Sequence, residues 1–377
     1  MNYKFPVINN INDVLPHIEG RSEFVVAERE DYTVINYVVA MADTFNMVDV
    51  NDFGGAIRRE CRGLIFNKAG KLISRPYHKF FNVNEKEETQ VYKLELDMLF
   101  DHIIMEKVDG SMIRPIISGG WLRLATKMGV TDVAEAAEKI VNYTQHEWLM
   151  YMYLAELTPI LEYIAPTNKI VVEYSEPKLI LTAVRDNVTG EYRDLSDFES
   201  PFEVVKIYGS VDISLEKYIA LARQKEGREG DIIRFSDGHM LKIKNDWYVR
   251  IHKTKDLIRA ERNIAEIIIN EKLDDILPLL DATDLNTVRI YEKRFDAAID
   301  NVLGRLEGLV TLAKVLHAGN KKEVAINFVP NLKYKDDAKF IFSALDGKDT
   351  RIGLIEHIKK SVGNTTKYDA LMKWMEV

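Results

Sequence analysis

The chain has 377 residues, of which 46% are hydrophobic and 29% are charged, and its formal net charge at neutral pH is −8. These values indicate a globular protein of two domains, at roughly 100–200 residues per domain, and the negative charge argues against a protein that coats long nucleic acid. The single cysteine excludes a disulfide framework. The first residues lack the apolar core of a signal peptide, and no apolar run approaches the roughly 20 residues of a bilayer span, so no membrane partner and a cytoplasmic location are expected.

Short strands are expected to dominate residues 1–254. Turn residues separate a series of alternating or continuous apolar runs, and this pattern is typical of strands. The predicted strands are Tyr32–Val39, Gly63–Phe66, Ile103–Met105, Met112–Ile117, Trp121–Ala125, Lys169–Tyr174, Leu179–Val184, Asp231–Phe235 and Met240–Ile243.

Helices are expected at two places among these strands and throughout the C-terminal region. The two are Thr131–Leu157 and Leu215–Gln224. After Thr254 apolar residues recur every three or four positions, which predicts helices. The pattern indicates the α+β class, with residues 1–254 and 255–377 as two domains.

Lys107 lies in the run Met105–Ser111, two residues before Asp109 and three before Gly110. A lysine with apolar neighbours suits a covalent nucleophile that attacks a nucleotide. Gly110 would permit a close backbone approach, or a positive φ, and Asp109 could hold a ribose hydroxyl or the lysine. Because a free lysine has a pKa of about 10.4, the nucleophile needs desolvation or nearby cations. A surface turn after a strand explains the motif equally well.

Cations occur in two segments upstream of Lys107. Arg62, Arg75 and Lys79 suit a triphosphate, because arginine offers a bidentate fork to phosphate oxygens. Phe80 or Phe81 could cover an adenine face. The alternative is a cation cluster at a strand edge with core aromatic residues beside it.

Two isolated carboxylates follow Lys107. Glu162 lies in an apolar run, where a buried carboxylate needs a hydroxyl, cation or metal partner. Glu229 precedes Gly230 at the start of an apolar strand, which suits a divalent metal on phosphates. The alternatives are the polar face of an edge strand for Glu162 and a charged surface turn for Glu229.

Paired lysines lie close to the end of the strand-rich region. Strand periodicity puts Lys242 and Lys244 on one face. Beside Lys107 they would lower its pKa by like-charge repulsion and stabilise charge on an α-phosphate. A solvated strand face is the alternative. Lys127 is a further candidate with a weaker local signal.

The ordered set Lys107-Val-Asp-Gly110, Glu162, Glu229-Gly230 and Lys242-Ile-Lys244 resembles the covalent nucleotidyltransferase superfamily of ligases and mRNA capping enzymes. Further strings narrow the resemblance to the RNA ligase 1 family of bacteriophages, over residues 20–255. These strings are Glu60-Cys-Arg-Gly63, Lys79-Phe-Phe-Asn82, Ala165-Pro-Thr-Asn168 and Lys244-Asn-Asp-Trp-Tyr248. The resemblance implies a nucleotidyltransferase domain, ATP-grasp-like and built of antiparallel sheets with flanking helices. An all-α C-terminal domain that helps to choose the RNA would follow it.

The resemblance also implies ATP-dependent joining of RNA ends. Lys107 would form a lysyl–AMP intermediate, AMP would pass to a 5′-phosphate, and a 3′-hydroxyl would displace it. ATP and Mg²⁺ or Mn²⁺ are the implied cofactors. The implied substrate is single-stranded RNA or a broken tRNA anticodon loop, repaired by a monomer in the cytoplasm, the host's if the protein is viral.

Residue roles follow from the matching positions. The implied catalytic residues are Lys107, Lys242 and Lys244, and the implied metal ligands are Glu162, Glu229 and Asp274. The implied ATP-binding residues are Arg62, Lys79, Phe81, Lys107, Asp109, Gly110, Lys127, Glu162, Lys242, Lys244 and Tyr248. Lys127-Met-Gly departs from the usual Lys-Gly of the family.

The competing interpretations are a DNA ligase, a capping-type enzyme or a non-catalytic RNA-end-binding protein. The helix periodicity after Thr254 disfavours a DNA ligase and a capping-type enzyme, because these relatives generally carry a β-barrel after the paired lysines.

Overall fold

The computed structural model describes residues 3–41, 43–47 and 49–376. The chain divides into two compact units, Met1–Val249 and Arg250–Val377. The first unit combines sheets with helices and the second is helical, which confirms the predicted α+β class with an all-α C-terminal region. The roles assigned to residues 1–254 and 255–377 stay predictions.

The strands of the first unit form three sheets. In chain order they are β1 (Phe24–Glu28), β2 (Tyr32–Tyr37), β3 (Arg62–Asn67), β4 (Leu72–Ser74), β5 (Phe81–Asn82), β6 (His102–Lys107), β7 (Ser111–Ser118), β8 (Trp121–Ala125), β9 (Leu157–Ile164), β10 (Lys178–Asp186), β11 (Tyr192–Arg193), β12 (Glu203–Val204), β13 (Ile207–Gly209), β14 (Gly230–Phe235) and β15 (Met240–Lys244).

The helices that accompany these sheets are α1 (Phe53–Glu60), α2 (Val91–Asp97), α3 (Asp132–Glu138), α4 (Tyr143–Leu154) and α5 (Leu215–Arg223). The predicted single helix over Thr131–Leu157 is therefore wrong. Thr131 caps α3 and Asn142 caps α4 with side-chain oxygens, and asparagine favours a helix start over a helix interior. The chain from Leu157 onward becomes β9.

The predicted strand over Lys169–Tyr174 is also wrong. These residues form a loop of bends. The backbone N–H groups of Val171 and Val172 donate to the Asp109 side chain, each at 2.8 Å, and not to a neighbouring strand. A side chain distant in sequence thus satisfies the polar groups that a sheet would otherwise pair.

The sheets have the orders β1-β2-β3-β4, β11-β10-β9-β7-β8 with β12 on β10, and β13-β6-β14-β15-β5. In the third sheet β6, β14 and β15 are antiparallel neighbours, and β5 runs parallel to β15. Because side chains alternate along a strand, Met105 and Ile232 face the core shared with the second sheet. Ile104 and Ile233 face α5 on the other side.

The helices after β15 are α6 (Asp246–Ile258), α7 (Glu261–Ile269), α8 (Leu273–Ile276), α9 (Ala282–His317), α10 (Lys321–Glu323), α11 (Asp337–Leu345), α12 (Thr350–Val362) and α13 (Thr365–Met375). One stripe of α9 is buried from Val288 to Ala313. Residues 250–376 contain no strand. Over the described residues, no helix is both long and apolar enough to cross a membrane.

Candidate active site

Strand register brings Lys107 and Lys244 to the two sides of Gly230. Lys107 ends β6 opposite Gly230 in β14, and Gly230 lies opposite Lys244 in β15. Residues directly opposite each other in antiparallel strands share a face, with Cβ atoms about 5 Å apart. A Cβ atom at Gly230 would lie 2.0 Å from the carbonyl oxygen of Ile243, so the position requires glycine. The position between the two lysines consequently carries no side chain of its own.

Glu229 bridges the two lysines. Its Oε2 lies 2.6 Å from Nζ of Lys107 and its Oε1 lies 2.9 Å from Nζ of Lys244. Burial alone would raise the pKa of Glu229. The positive charges of Lys107 and Lys244 have the larger effect together, so the pKa lies below its usual value. Glu229 is therefore a buried, ionised carboxylate, and the alternative of a charged surface turn is wrong. Lys107 must leave this ion pair before it can act as a nucleophile.

Among Lys107, Lys242 and Lys244, the positive charge of Lys242 is the least stabilised by its surroundings. Burial lowers its pKa to about 7, helped by the charges of Arg62, Lys79 and Lys107. It is opposite Ile232 in the register, on the same face as Lys107, and its Nζ lies 5.1 Å from the centre of the Phe80 ring. The sequence therefore correctly grouped the lysines on one face.

Asp109 is a buried anchor for the turn that follows Lys107. Its Oδ2 accepts the two backbone N–H groups of Val171 and Val172, and its Oδ1 accepts the hydroxyl of Tyr248 at 2.7 Å. The backbone N–H of Asp109 donates to the hydroxyl of Tyr174 at 3.2 Å. Protein groups already donate to both carboxylate oxygens, and the assignment of Asp109 to ATP stays a prediction. Asp109 holds the nucleophile's loop in place.

Gly110 is required by packing, and its φ is not positive. A Cβ atom there would lie 2.4 Å from the carbonyl oxygen of Tyr163 and 3.0 Å from Cγ of Glu162. The glycine thus lets the loop after Lys107 press against β9. This contact places Glu162 beside the loop.

Glu162 lies on a central strand. β9 is flanked by β10 and β7, so the edge-strand alternative is wrong. Burial raises the pKa of Glu162 to about 8; Lys107 lowers it and Glu229 raises it. A carboxyl group in such surroundings is a typical feature of functional sites.

A second group of cations surrounds Tyr37. The Nζ atoms of Lys79 and Lys127 lie 5.2 Å and 5.7 Å from the centre of its ring. Burial alone would raise the pKa of Tyr37. The charges of Lys79, Arg62 and Lys127 together have the larger effect, so the pKa lies below its ordinary value. In the part of the chain that the structure describes, none of these three cations forms an ion pair with a carboxylate. Such a group can bind a polyphosphate. Nothing in the sequence around Tyr37 had singled it out.

Arg75, predicted as a triphosphate ligand, belongs to a buried ion-pair network. Its Nε lies 3.1 Å from Glu60, which also pairs with Arg185 at 2.6 Å, and all three side chains are fully buried. This prediction was wrong, because long-range contacts supply Arg75 with an anion. A glutamate at the end of α1 gave no local signal of that role.

The two phenylalanines lie in different cores. Phe81 is 3% exposed and packs near Phe45 in the core of the N-terminal sheet, with Arg59 5.1 Å from its ring centre. Phe80 faces Lys242. Little of the Phe81 ring is open to a base, and its assignment to ATP stays a prediction.

The charge of Lys107 lowers the pKa of both Glu162 and Glu229, so these two carboxylates belong to the same electrostatic group. Among the described residues, no three His, Cys, Asp or Glu side chains form a cluster that could hold a metal. Mg²⁺ often takes only one or two carboxylates and completes its shell with water and phosphate oxygens, so this pair fits the ion. Asp274 lies in α8 of the second unit, and its assignment to the metal stays a prediction.

Comparison with known proteins gave consistent matches. A family model described as RNA ligase matches residues 60–248. A Thermovibrio ammonificans protein provisionally named as an RNA ligase is 31% identical over 281 residues, which cover 71% of this chain and 70% of that protein. RNA ligase 1 of bacteriophage TS2126 is 28% identical over 235 residues, covering 59% of this chain and 58% of that protein, less than two thirds of its length.

A solved structure of an archaeal ATP-dependent RNA ligase gives a TM-score of 0.48 at 13% identity, covering 76% of this chain and 78% of that one. The family match over residues 60–248 contains Arg62, Lys107, Glu162, Glu229 and Tyr248. The residues gathered around Lys107 and around Tyr37 are therefore drawn from the matched region.

Proposed function

This chain belongs to the RNA ligase family, and on that basis we propose that it joins RNA ends with ATP, using Lys107 as the covalent carrier of AMP. Membership confirms the family and the class of enzyme that the sequence predicted. The observation that carries the reaction scheme is the register of β6, β14 and β15. It places Lys107, Glu229 and Lys244 in direct contact, with Lys242 on the same face.

In the first step Nζ of Lys107 attacks the α-phosphorus of ATP. An N–P bond forms, the bond from the α-phosphorus to the bridging oxygen breaks, and pyrophosphate leaves. The proton that Lys107 must lose has Oε2 of Glu229, 2.6 Å away, as its nearest acceptor. Lys242 and Lys244 stabilise the charge that builds on the α-phosphate.

The cations around Tyr37 suit the leaving pyrophosphate. Arg62, Lys79 and Lys127 lack carboxylate partners among the residues that the structure describes, so their charge is available to the β- and γ-phosphates. Mg²⁺ or Mn²⁺ held by Glu162 and Glu229 would neutralise further phosphate charge.

In the later steps AMP passes from Lys107 to the 5′-phosphate of an RNA, and a 3′-hydroxyl attacks that phosphate and expels AMP. We assign adenylyl transfer to residues 1–254 and RNA selection to the helical residues 255–377. Single-stranded RNA or a broken tRNA anticodon loop is the proposed substrate. We further propose a monomer that acts in RNA repair in the cytoplasm.

Labelling with nucleotide tests the first step. ATP labelled at the α-phosphate is expected to leave a covalent label on the denatured protein, and ATP labelled at the γ-phosphate is expected to leave none. Lys107→Ala should reduce labelling to background, because no other lysine replaces its Nζ between Glu229 and the α-phosphate. Lys93→Ala is the matched control, since Lys93 is an exposed lysine paired with Glu87.

Two results would contradict the proposal. Labelling by GTP alone would exclude ATP as the nucleotide and favour a capping-type enzyme. Failure of the purified protein to seal pre-adenylylated RNA would exclude RNA joining, even if Lys107 became labelled.

A further inference from the structure

Arg114 is a fully buried arginine in β7, and among the described residues its hydrogen bonds go only to neutral groups. Its Nε donates to Oγ of Ser74 at 2.8 Å and its Nη2 donates to the carbonyl oxygen of Gly63. Its Nη1 is buried without a hydrogen-bond partner. Both acceptors are neutral, and within residues 3–41, 43–47 and 49–376 no carboxylate forms an ion pair with Arg114.

This environment is unfavourable for a cation. Burial, together with the charge of Arg62, lowers the pKa of Arg114 to about 9. Arg114 is still charged at neutral pH. The other fully buried arginines differ, because Arg75 and Arg185 share the carboxylate of Glu60. A buried charge without a counter-charge destabilises the folded protein. A residue that carries such a charge therefore suggests a role other than stability.

The hydrogen bond to Gly63 connects Arg114 to the cations around Tyr37. Gly63 follows Arg62 in β3, and a Cβ atom at Gly63 would lie 2.8 Å from both Cα and the carbonyl oxygen of Lys127. The backbone of β3 therefore lies directly against the backbone of the Lys127 turn. By holding the Gly63 carbonyl, Arg114 fixes the strand that carries Arg62 and the surface on which Lys127 rests.

We propose that Arg114 is a positioning residue for the triphosphate: it aligns Arg62 and Lys127 through the Gly63 carbonyl, and its uncompensated charge adds to the field that attracts a polyphosphate. Bound phosphates would supply the anion that neither Arg62 nor Arg114 has among the residues that the structure describes. This role presupposes the ATP-dependent first step proposed above. It predicts an effect on that step, which uses all three phosphates, and little effect on sealing of pre-adenylylated RNA, which uses no triphosphate.

The test compares the two reactions in Arg114→Met, which keeps an unbranched buried side chain and removes the charge. The KM for ATP in lysyl–AMP formation should rise about tenfold, as expected when an oriented charge-assisted interaction is lost. The rate at saturating ATP and the sealing of pre-adenylylated RNA should stay within about threefold of the parent. Equal losses in both reactions, or an unchanged KM for ATP, would overturn the proposal.

Arg75→Met is the matched control, since it removes a buried arginine that has a carboxylate partner. It should lower the melting temperature without a selective rise in the KM for ATP, and a selective rise equal to that of Arg114→Met would contradict the proposal. Arg114→Lys retains the charge but not both hydrogen bonds, so a smaller selective rise is expected. This variant provides the comparison if Arg114→Met does not fold, and an unchanged KM in it would count against the alignment role.

A binding measurement separates this role from the reaction itself. Inorganic tripolyphosphate should raise the melting temperature of the parent protein, because a ligand that binds only the folded state stabilises it. The rise should be markedly smaller in Arg114→Lys and Arg114→Met, and an equal rise would refute the proposal. If the parent protein bound tripolyphosphate but never formed a lysyl–AMP adduct, the proposed reaction would fail while the role of Arg114 in binding would stand.

Discussion

Lys107, Lys242 and Lys244 lie on one face of the third sheet but in different electrostatic surroundings. Lys107 and Lys244 share the carboxylate of Glu229, whereas Lys242 has Arg62 and Lys79 as its charged neighbours. The sequence located all three lysines, because strand alternation is a local property. It could not assign their partners, since Glu229 and Arg62 reach them through pairing between distant strands.

The lowered pKa of Lys242 predicts a stability that depends on pH. In the folded protein Lys242 loses its proton near pH 7, whereas the unfolded chain keeps it until about the ordinary value of 10.5. Between these values the unfolded state binds more protons, so the stability of the folded state rises with pH. Lys242→Met removes this contribution and should be more stable than the parent below pH 7.

That advantage should shrink as the pH rises toward 10.5. Since one pKa unit corresponds to about 1.4 kcal/mol, and partial exposure screens part of it, a change of about 2 kcal/mol is expected between pH 6.5 and 9.5. Urea denaturation at the two pH values measures it. The exposed Lys217→Met serves as the control, and a gap for Lys242→Met that is constant with pH would contradict the lowered pKa.

At the scale of elements, the loop after β6 depends on two distant segments. Asp109 joins it to the loop at Val171 and Val172 and to Tyr248 in α6. The sequence predicted a strand at Lys169–Tyr174, because the apolar content of that segment is typical of strands. The segment forms a loop since Asp109 satisfies its N–H groups. Likewise, the central position of β9 that buries Glu162 depends on the pairing of β7 and β10, which no local pattern reveals.

Asp109→Ala should therefore destabilise the protein and disorder the nucleophile's loop. It removes the acceptor of the Val171 and Val172 N–H groups and of one hydrogen bond of the Tyr248 hydroxyl, and an unsatisfied buried group costs about 1–3 kcal/mol. We expect a loss of about 2–4 kcal/mol in the free energy of unfolding, measured by urea denaturation, and much weaker labelling by ATP. Asp101→Ala, at an exposed turn before β6, should change stability by less than about 0.5 kcal/mol. A similar small change for Asp109→Ala would show that water replaces its contacts.

At the scale of the whole molecule, the proposed active-site residues other than Asp274 lie in the first unit. That unit has its own hydrophobic cores, and the second unit has others. The change from strand periodicity to helix periodicity made this organisation visible in the sequence. What the sequence did not reveal was the buried network of Glu60, Arg75 and Arg185, because its members are far apart along the chain.

A chain that ends after Ile258 should retain labelling by ATP and lose most RNA joining. It keeps Tyr248 and all of α6, but it lacks the helices to which RNA selection is assigned. Loss of one of two linked binding modules commonly weakens binding by about 100-fold or more, so sealing at limiting RNA should fall at least about tenfold. Gel-shift and sealing assays measure the loss. Undiminished sealing by a chain of this length would remove the helical region from RNA selection.

The ion pair between Glu229 and Lys107 also affects how readily Lys107 reacts with electrophiles other than ATP. Only the neutral amine of a lysine reacts with electrophiles, so an unguarded nucleophile would also be open to acetylating thioesters and reactive aldehydes. Oε2 of Glu229 lies 2.6 Å from Nζ of Lys107, so the amine is engaged by the carboxylate and must leave this contact before it can attack any electrophile. The carboxylate that prepares the site for AMP thus also shields the lysine from irreversible modification between catalytic cycles.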